Sequence, residues 1–246
     1  RANEALKKVD PIIMDRSKLP GDLVEKSFKL KWESELLKDN FEAATETCLA
    51  FNRLYPESVL ADQALMTVGR SLSQKGEYGA AVLIYEKVLE LQNPISAAEA
   101  QFLIGETLQK QAEEIAKAAE QNNSQWGGKS ARLAQLGSAM QAYRRTYEAY
   151  PESSYAADAL GKVVRYYVDK GSFAQAAVML ENCFDNYPDA AFLDEMLMLW
   201  AKVAYRMGDN AMAKEKLRQL IFNYPQSSQV STARSKLAAL EARDAE

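Results

Sequence analysis

Apolar side chains recur along most of this chain at steps of three and four, and each run stops at a short polar or glycine-bearing break. Leu160, Val163, Val164 and Tyr167 make one run, Gly171 interrupts it, and Phe173, Ala176, Leu180 and Cys183 make the next. Such steps place side chains on one face of an α-helix. The pattern therefore predicts pairs of amphipathic helices over 22–38 and 41–54, 58–75 and 78–92, 96–120 and 130–149, 154–170 and 173–186, and 191–207 and 210–223. A last helix is predicted at 228–243, and the expected fold class is all-α.

The breaks are of two alternating kinds. One is a tyrosine-proline joint: YPESVLADQA from Tyr55, YPESSYAADA from Tyr150, YPDAAFLDEM from Tyr187 and YPQSSQVSTA from Tyr224. Pro151, Pro188 and Pro225 are 37 residues apart; Pro56 to Pro94 is 38, and Pro94 to Pro151 is 57, one period plus about 20 inserted residues. The other break lies midway, at Asp39–Ala44, Gly76–Ala81, Gly171–Ala176 and Gly208–Ala213. A glycine there can take the left-handed conformation that ends a helix, and the following alanine permits close approach of the next. Proline stops the preceding helix, and Ser58, Ser153 and Ser227 are the expected caps of the following one.

Each unit thus reads helix A, tight turn, helix B, joint. One such pair buries too little surface to be robust alone, so the units are expected to stack into a continuous core. The expected organisation is a single domain of five helix pairs and a capping helix over 22–243, with an insertion near 115–135 and an N-terminal linker or cap at 1–21. In that N-terminal stretch Pro11, Ile12, Ile13 and Met14 are expected to bury against the first repeat.

Composition removes several functional classes. The chain of 246 residues contains no histidine, which excludes histidine triads, histidine metal sites and imidazole acid–base chemistry within it. No phosphate-binding glycine loop is present. Asp39, Glu42 and Glu46 sit three or four apart, but polar helix faces produce such pairs routinely. With 30 basic and 34 acidic residues the net charge is -4, so no general pull toward nucleic acid exists. Trp32 and Trp200 fall in apolar helical patterns and read as core. Cys48 and Cys183, the only cysteines, do so too and imply neither a disulfide framework nor a thiolate metal site. No cofactor is expected. No stretch is apolar enough to span a membrane.

The repeat resembles the tetratricopeptide repeat family. The resemblance rests on Leu65, Val68, Gly69, Leu72, Gly76, Tyr78, Ala81, Tyr85 and Val88 in the second unit, on the runs above in the fourth, and on Leu197, Trp200, Ala201, Ala204, Gly208, Ala213, Leu217 and Leu220 in the fifth. The period exceeds the family's usual 34 residues by three. Asn210 stands where an aromatic is usual, and Asp189-Ala190-Ala191 replaces the serine-rich helix start. The joint motif more narrowly resembles bacterial cell-envelope repeats, among them outer-membrane assembly lipoproteins and the coordinator associated with the Tol–Pal system.

This resemblance implies a right-handed α-solenoid whose helix A surfaces line an inner face that holds a segment of a partner protein or peptide. Position matching puts Lys26, Lys29, Met66, Arg70, Gln74, Arg165, Asp169, Met198, Lys202 and Arg206 on that face. The cations would hydrogen-bond carboxylates or peptide carbonyls, and the methionines would accommodate apolar side chains. The alternative is that the charges are solvated and the methionines pack between repeats. Trp126, in the insertion's Asn- and Gly-rich corner, is either an exposed partner anchor or folded back on the long helices.

The resemblance points to a noncatalytic binding scaffold in the periplasm or on the periplasmic face of the outer membrane. A structural accessory or self-associating domain, giving a homo-oligomer, is the second reading. The chain begins with Arg1, which is compatible with an upstream signal, lipid anchor or further domain.

Overall fold

A computed structural model describes residues 2–58, 60–91, 93–121 and 129–243. Among these residues the regular structure is entirely helical: α1 Ala2–Met14, α2 Gly21–Leu36, α3 Phe41–Leu54, α4 Leu60–Gln74, α5 Tyr78–Glu90, α6 Pro94–Gln121, α7 Lys129–Gln135, α8 Gly137–Ala149, α9 Ser154–Lys170, α10 Phe173–Asn186, α11 Leu193–Arg206, α12 Asn210–Asn223 and α13 Val230–Arg243. Two compact units divide the chain, Arg1–Ala142 and Tyr143–Glu246.

From α1 through α7 in the first unit and from α9 through α13 in the second, each helix packs on its chain neighbour, and helix A of one repeat also touches helix A of the next: α2 with α4 and α4 with α6 in the first unit, α9 with α11 in the second. That neighbour-only pattern is the signature of a helix-pair solenoid. The first unit's core starts at Phe28, Trp32 and Phe51 and continues through Leu65, Val68, Tyr85 and Val88 to Ala100 and Ile104. In the second unit, Leu160, Val164, Leu180 and Met196 form one cluster, and Leu197, Leu217, Leu220 and Leu240 another. Gly69 is required by this packing, since a Cβ there would lie 2.4 Å from the buried ring of Tyr85.

The turns inside the repeats share one geometry. Gly76, Gly171 and Gly208 have φ of 83°, 78° and 85°. The following residue's N–H reaches back to the carbonyl five positions earlier, Glu77 to Leu72, Ser172 to Tyr167 and Asp209 to Ala204, at 3.0, 2.9 and 2.9 Å. This is the left-handed helix stop expected of glycine. Asp39 holds the same place in the first repeat with φ 57°, and Asn40 N–H bonds Glu35 O at 3.0 Å. A side chain in this region carries a steric penalty that glycine avoids. Asp39 forms an exposed ion pair with Lys75 at 3.0 Å, an interaction worth little. Asp39→Gly is therefore expected to stabilise the protein by about 0.5–1 kcal/mol, read as a raised midpoint in urea denaturation followed by circular dichroism. An unchanged or lowered midpoint would contradict the strain argument.

The joints are equally regular. The carbonyls of Tyr55, Tyr150, Tyr187 and Tyr224 accept from the N–H three residues on, at 3.0 to 3.1 Å, so proline occupies the second position of a tight turn. At three joints the serine two residues after the proline bonds the preceding repeat. Ser58 donates to Glu25, Ser96 to Asp62 at 2.9 Å and Ser227 to Asp194, in each case a carboxylate on the preceding helix A. Glu25, Asp62 and Asp194 share one repeat position, which Ala157 fills in the fourth repeat. The serine that would face Ala157 is replaced by Ala190, so both halves of this latch are missing together.

Several expectations change. Ser58 and Ser227 do accept from the N–H groups of Leu60 and Gln229, at 3.3 and 3.1 Å. Ser153 makes no cap, and its hydroxyl is buried without a hydrogen-bond partner. The expected single helix over 130–149 is two helices, broken at the buried Leu136. Residues 2–14 form a helix, with Pro11 inside it, tied to α2 by Asp10–Lys31 at 2.8 Å. Ile13 packs against the first core, whereas Pro11 is exposed and Met14, the last residue of α1, is 78% exposed. The insertion's corner at 122–128 lies outside the described residues.

Candidate functional site

Helix A side chains expected to contact a partner fall into three groups once placed. Some are already occupied. Arg70 of α4 pairs with Glu99 of α6, and Arg165 of α9 forms a two-pronged bond to Glu195 of α11, Nε to Oε1 at 3.0 Å and Nη2 to Oε2 at 2.8 Å. The guanidinium of Arg165 also lies 5.8 Å from the centre of the Phe192 ring. Hydrogen bonding to Arg165 holds the Glu195 carboxyl below its usual range. Arg70 and Arg165 both stand fourteen residues after their joint proline, and each bridges to the next helix A, to an acid five residues after Pro94 in one unit and seven after Pro188 in the other.

A second group stands apart. Lys26 pairs with Asp22 at 3.4 Å and Lys29 with Glu33 at 3.9 Å, each within the exposed face of α2. Gln74 lines a separate hollow with Glu33, Leu37 and Lys75, and Asp169 is half-buried near the end of α9. Met66 is only 2% exposed and belongs to the first core. It packs between repeats because α4 has a full helix on either side, and it offers no surface to a partner. Trp126 lies outside the described residues.

The third group converges. Met198, Lys202 and Arg206 line a cavity of about 420 Å³ between α11 and α13, floored by Leu217 of α12 and Leu240. Sequence reasoning stopped its site at Arg206 and missed Tyr205, Lys236 and Arg243, which complete the lining. A signal was present. Counting the repeat on past Pro225 puts Arg243 at the position that Arg206 holds after Pro188, eighteen residues beyond the proline. Arg243 Nη1 donates to the Tyr205 hydroxyl at 2.8 Å. Among the described residues, no carboxylate pairs with Lys202, Arg206, Lys236 or Arg243, and the cavity has no acidic lining residue.

This end of the second unit is thus apolar at its floor and cationic at its rim. The arrangement can hold a group and orient it, but supplies no reactive centre. The thiols of Cys48 and Cys183 are buried in the cores, and burial pushes both up, that of Cys183 to about 11. Among the described residues no group of three or more acidic or cysteine side chains is placed to hold a metal ion, and no helix is long and apolar enough to cross a membrane. Trp32 is core, as its apolar pattern predicts, and Trp200 packs partly buried against Phe184 with the Lys216 ammonium 3.9 Å from its ring centre.

Known proteins share this sequence pattern. The outer membrane lipoprotein family YfiO matches residues 25–216, from the start of the first repeat into the last helix pair. The outer membrane protein assembly factor BamD of Neisseria meningitidis is 26% identical over 103 residues, covering 36% of this chain and 39% of that protein. The chain thus spans well under half the length of that relative. Among solved structures, a tetratricopeptide repeat protein from Parabacteroides merdae aligns over 90% of this chain and 75% of its own at 15% identity, with a TM-score of 0.46. BtubC from P. vanneervenii aligns over 96% and 89% at 13% identity, with a TM-score of 0.39. The match over 25–216 takes in the joints at Tyr55, Tyr150 and Tyr187, the left-handed turns and the helices that carry the arginine bridges described above, and on that extent the chain belongs to the YfiO family of outer membrane lipoproteins.

Proposed function

We propose that this protein is a noncatalytic scaffold of outer-membrane assembly that holds a partner protein on its helix A faces, with the cavity between α11 and α13 as the principal contact. The observation that carries the reading is the set of four cations around an apolar floor, without carboxylates among the described residues, in a fold where Arg70 and Arg165 of helix A are already bridged. Family membership supports the envelope setting, and the assembly role is named for the relative from Neisseria meningitidis. Binding by preorganised contact suits this architecture. Interhelix packing fixes the surface in advance, so a partner meets little ordering cost beyond its own.

The test places a photocrosslinker at the exposed Ala239 in the full-length protein and irradiates the native envelope. One reproducible adduct is expected, reduced at least about tenfold when Lys202→Glu and Arg206→Glu are combined, since reversing charges at a desolvated contact removes attraction and adds repulsion. Both side chains are exposed, so circular dichroism should be unchanged. Arg70→Glu and Arg165→Glu make poor probes, because each would set a carboxylate against Glu99 or Glu195. An adduct that survives the double reversal in folded protein would remove the cavity as the contact. An adduct with the chain itself, with a dimer in light scattering, would replace partner binding by self-association.

A further inference from the structure

The joint between the fourth and fifth repeats shows what the terminal cavity lacks. There Arg165 is held between two side chains of the following repeat, the Phe192 ring on its face and the Glu195 carboxylate at its edge. The Phe192 ring also closes the space over Gly161, where an added Cβ would come within 3.3 Å of it. Aromatic and acid come from the N-terminal end of helix A, Phe192 as its cap residue and Glu195 in its first turn, at the fourth and seventh residues after Pro188.

One repeat on, Lys202 occupies the place of Arg165, fourteen residues after its proline. The fourth and seventh residues after Pro225 are Gln229 and Thr232, so α13 brings neither the ring nor the carboxylate. Its own contributions on this side are two further cations, Lys236 and Arg243. Beside Lys202 an open cavity of about 420 Å³ lies between α11 and α13. The inner joint pairs its cation with an aromatic and a carboxylate, whereas among the described residues no carboxylate lines the outer cavity.

Resting on the scaffold reading above, we infer that the cavity between α11 and α13 takes a partner-protein segment presenting a large apolar side chain, aromatic for preference, within about one helical turn of carboxylates. The apolar group enters between Met198, Leu217 and Leu240, and the carboxylates pair with Lys202 and with Lys236 or Arg243. Four cations with no carboxylate beside them among the described residues favour more than one acidic residue in the segment. The protein source is preferred because the inner joint meets the same need with side chains of a polypeptide.

A random 12-residue displayed peptide library, panned on the full-length protein and counter-selected on the Lys202→Glu, Lys236→Glu double variant, tests this. Peptides lost on the double variant are expected to be enriched in Phe, Tyr or Leu within four residues of Asp or Glu. A synthetic representative is expected to weaken at least about tenfold when its acid becomes the amide, again when its aromatic becomes alanine, and progressively with salt. Cavity-dependent peptides that are neutral or basic would overturn the inferred chemistry while leaving the groove in place. Failure to recover any cavity-dependent peptide would remove the groove reading and this inference with it. Vesicles of anionic phospholipid that bind the wild type but not the double variant, with no acidic peptide recovered, would assign the cations to a membrane surface and overturn the inference as well.

Discussion

Phe51→Ala is expected to lower the stability of the first unit by about 3–5 kcal/mol, the range for deleting a fully buried aromatic ring and leaving its cavity. Phe51 has no exposed surface and sits at the centre of an aromatic cluster, 5.5 Å from Phe28, 5.4 Å from Trp32 and 5.3 Å from Tyr55 between ring centres. Its neighbours are large and rigid and belong to α2 and to the joint after α3, so they cannot collapse into the space. In a stack where each repeat meets only its neighbours, the damage should stay local. Amide exchange followed by mass spectrometry should therefore accelerate first in α1, α2 and α3 and least in α12 and α13. Phe51→Leu, which retains most of the volume, should cost about 1 kcal/mol. Equal acceleration in every helix would show that the protein unfolds as one cooperative body and contradict the neighbour-only account of its stability.

The same architecture explains which features are legible in the sequence. Bounds of α3, α9, α10 and α12 match the expected spans because both of their ends are set by local chemistry, a left-handed turn on one side and a Tyr-Pro joint or polar cap on the other. The break at Leu136 has no such marker. Leu136 keeps the apolar rhythm, and the hydrogen bonds of Leu136 and Met140 still span four residues, so periodicity alone runs straight through it. Helix α1 was obscured by Pro11, whose missing N–H suggests a break that its packing on α2 overrides.

Site residues illustrate a different limit. Met66 and Met198 stand at one repeat position, ten residues after their prolines, yet Met66 is core and Met198 lines the cavity. Arg70, Arg165 and Lys202 likewise share a position, and among the described residues only the last has no carboxylate partner. A residue's place within its repeat predicts the face it occupies. Whether that face is covered depends on what the next repeat supplies, and reading it requires comparing Phe192 and Glu195 with Gln229 and Thr232 across the joint.

Thr47→Val is expected to cost about 2–3 kcal/mol at pH 7 and about 1 kcal/mol near pH 4, because its hydroxyl is the hydrogen bond of a buried carboxylate. Glu35 of α2 is 6% exposed, and its Oε2 accepts from the Thr47 hydroxyl of α3 at 2.8 Å. Burial raises the Glu35 pKa above its ordinary 4.5, while the Thr47 hydrogen bond and the Lys31 ammonium pull against that rise. A carboxyl raised in the folded state opposes folding at pH above its folded pKa, and this opposition is lifted as pH falls through the window down to 4.5. Removing the hydroxyl takes away one of the two groups that hold the charged form, so the folded pKa climbs further and the neutral-pH loss grows. Once Glu35 is protonated in both states, only an ordinary neutral hydrogen bond remains to be lost. The difference between wild type and variant isolates this pair, since Glu195, whose pKa is lowered, acts with the opposite sign in both proteins alike. Urea denaturation at the two pH values gives the measurement, and Thr47→Val in a Glu35→Gln background supplies the control, with a cost of about 1 kcal/mol at either pH. A loss in the single variant that stays the same from pH 7 to pH 4 would mean that Glu35 is not charged in the folded protein at neutral pH.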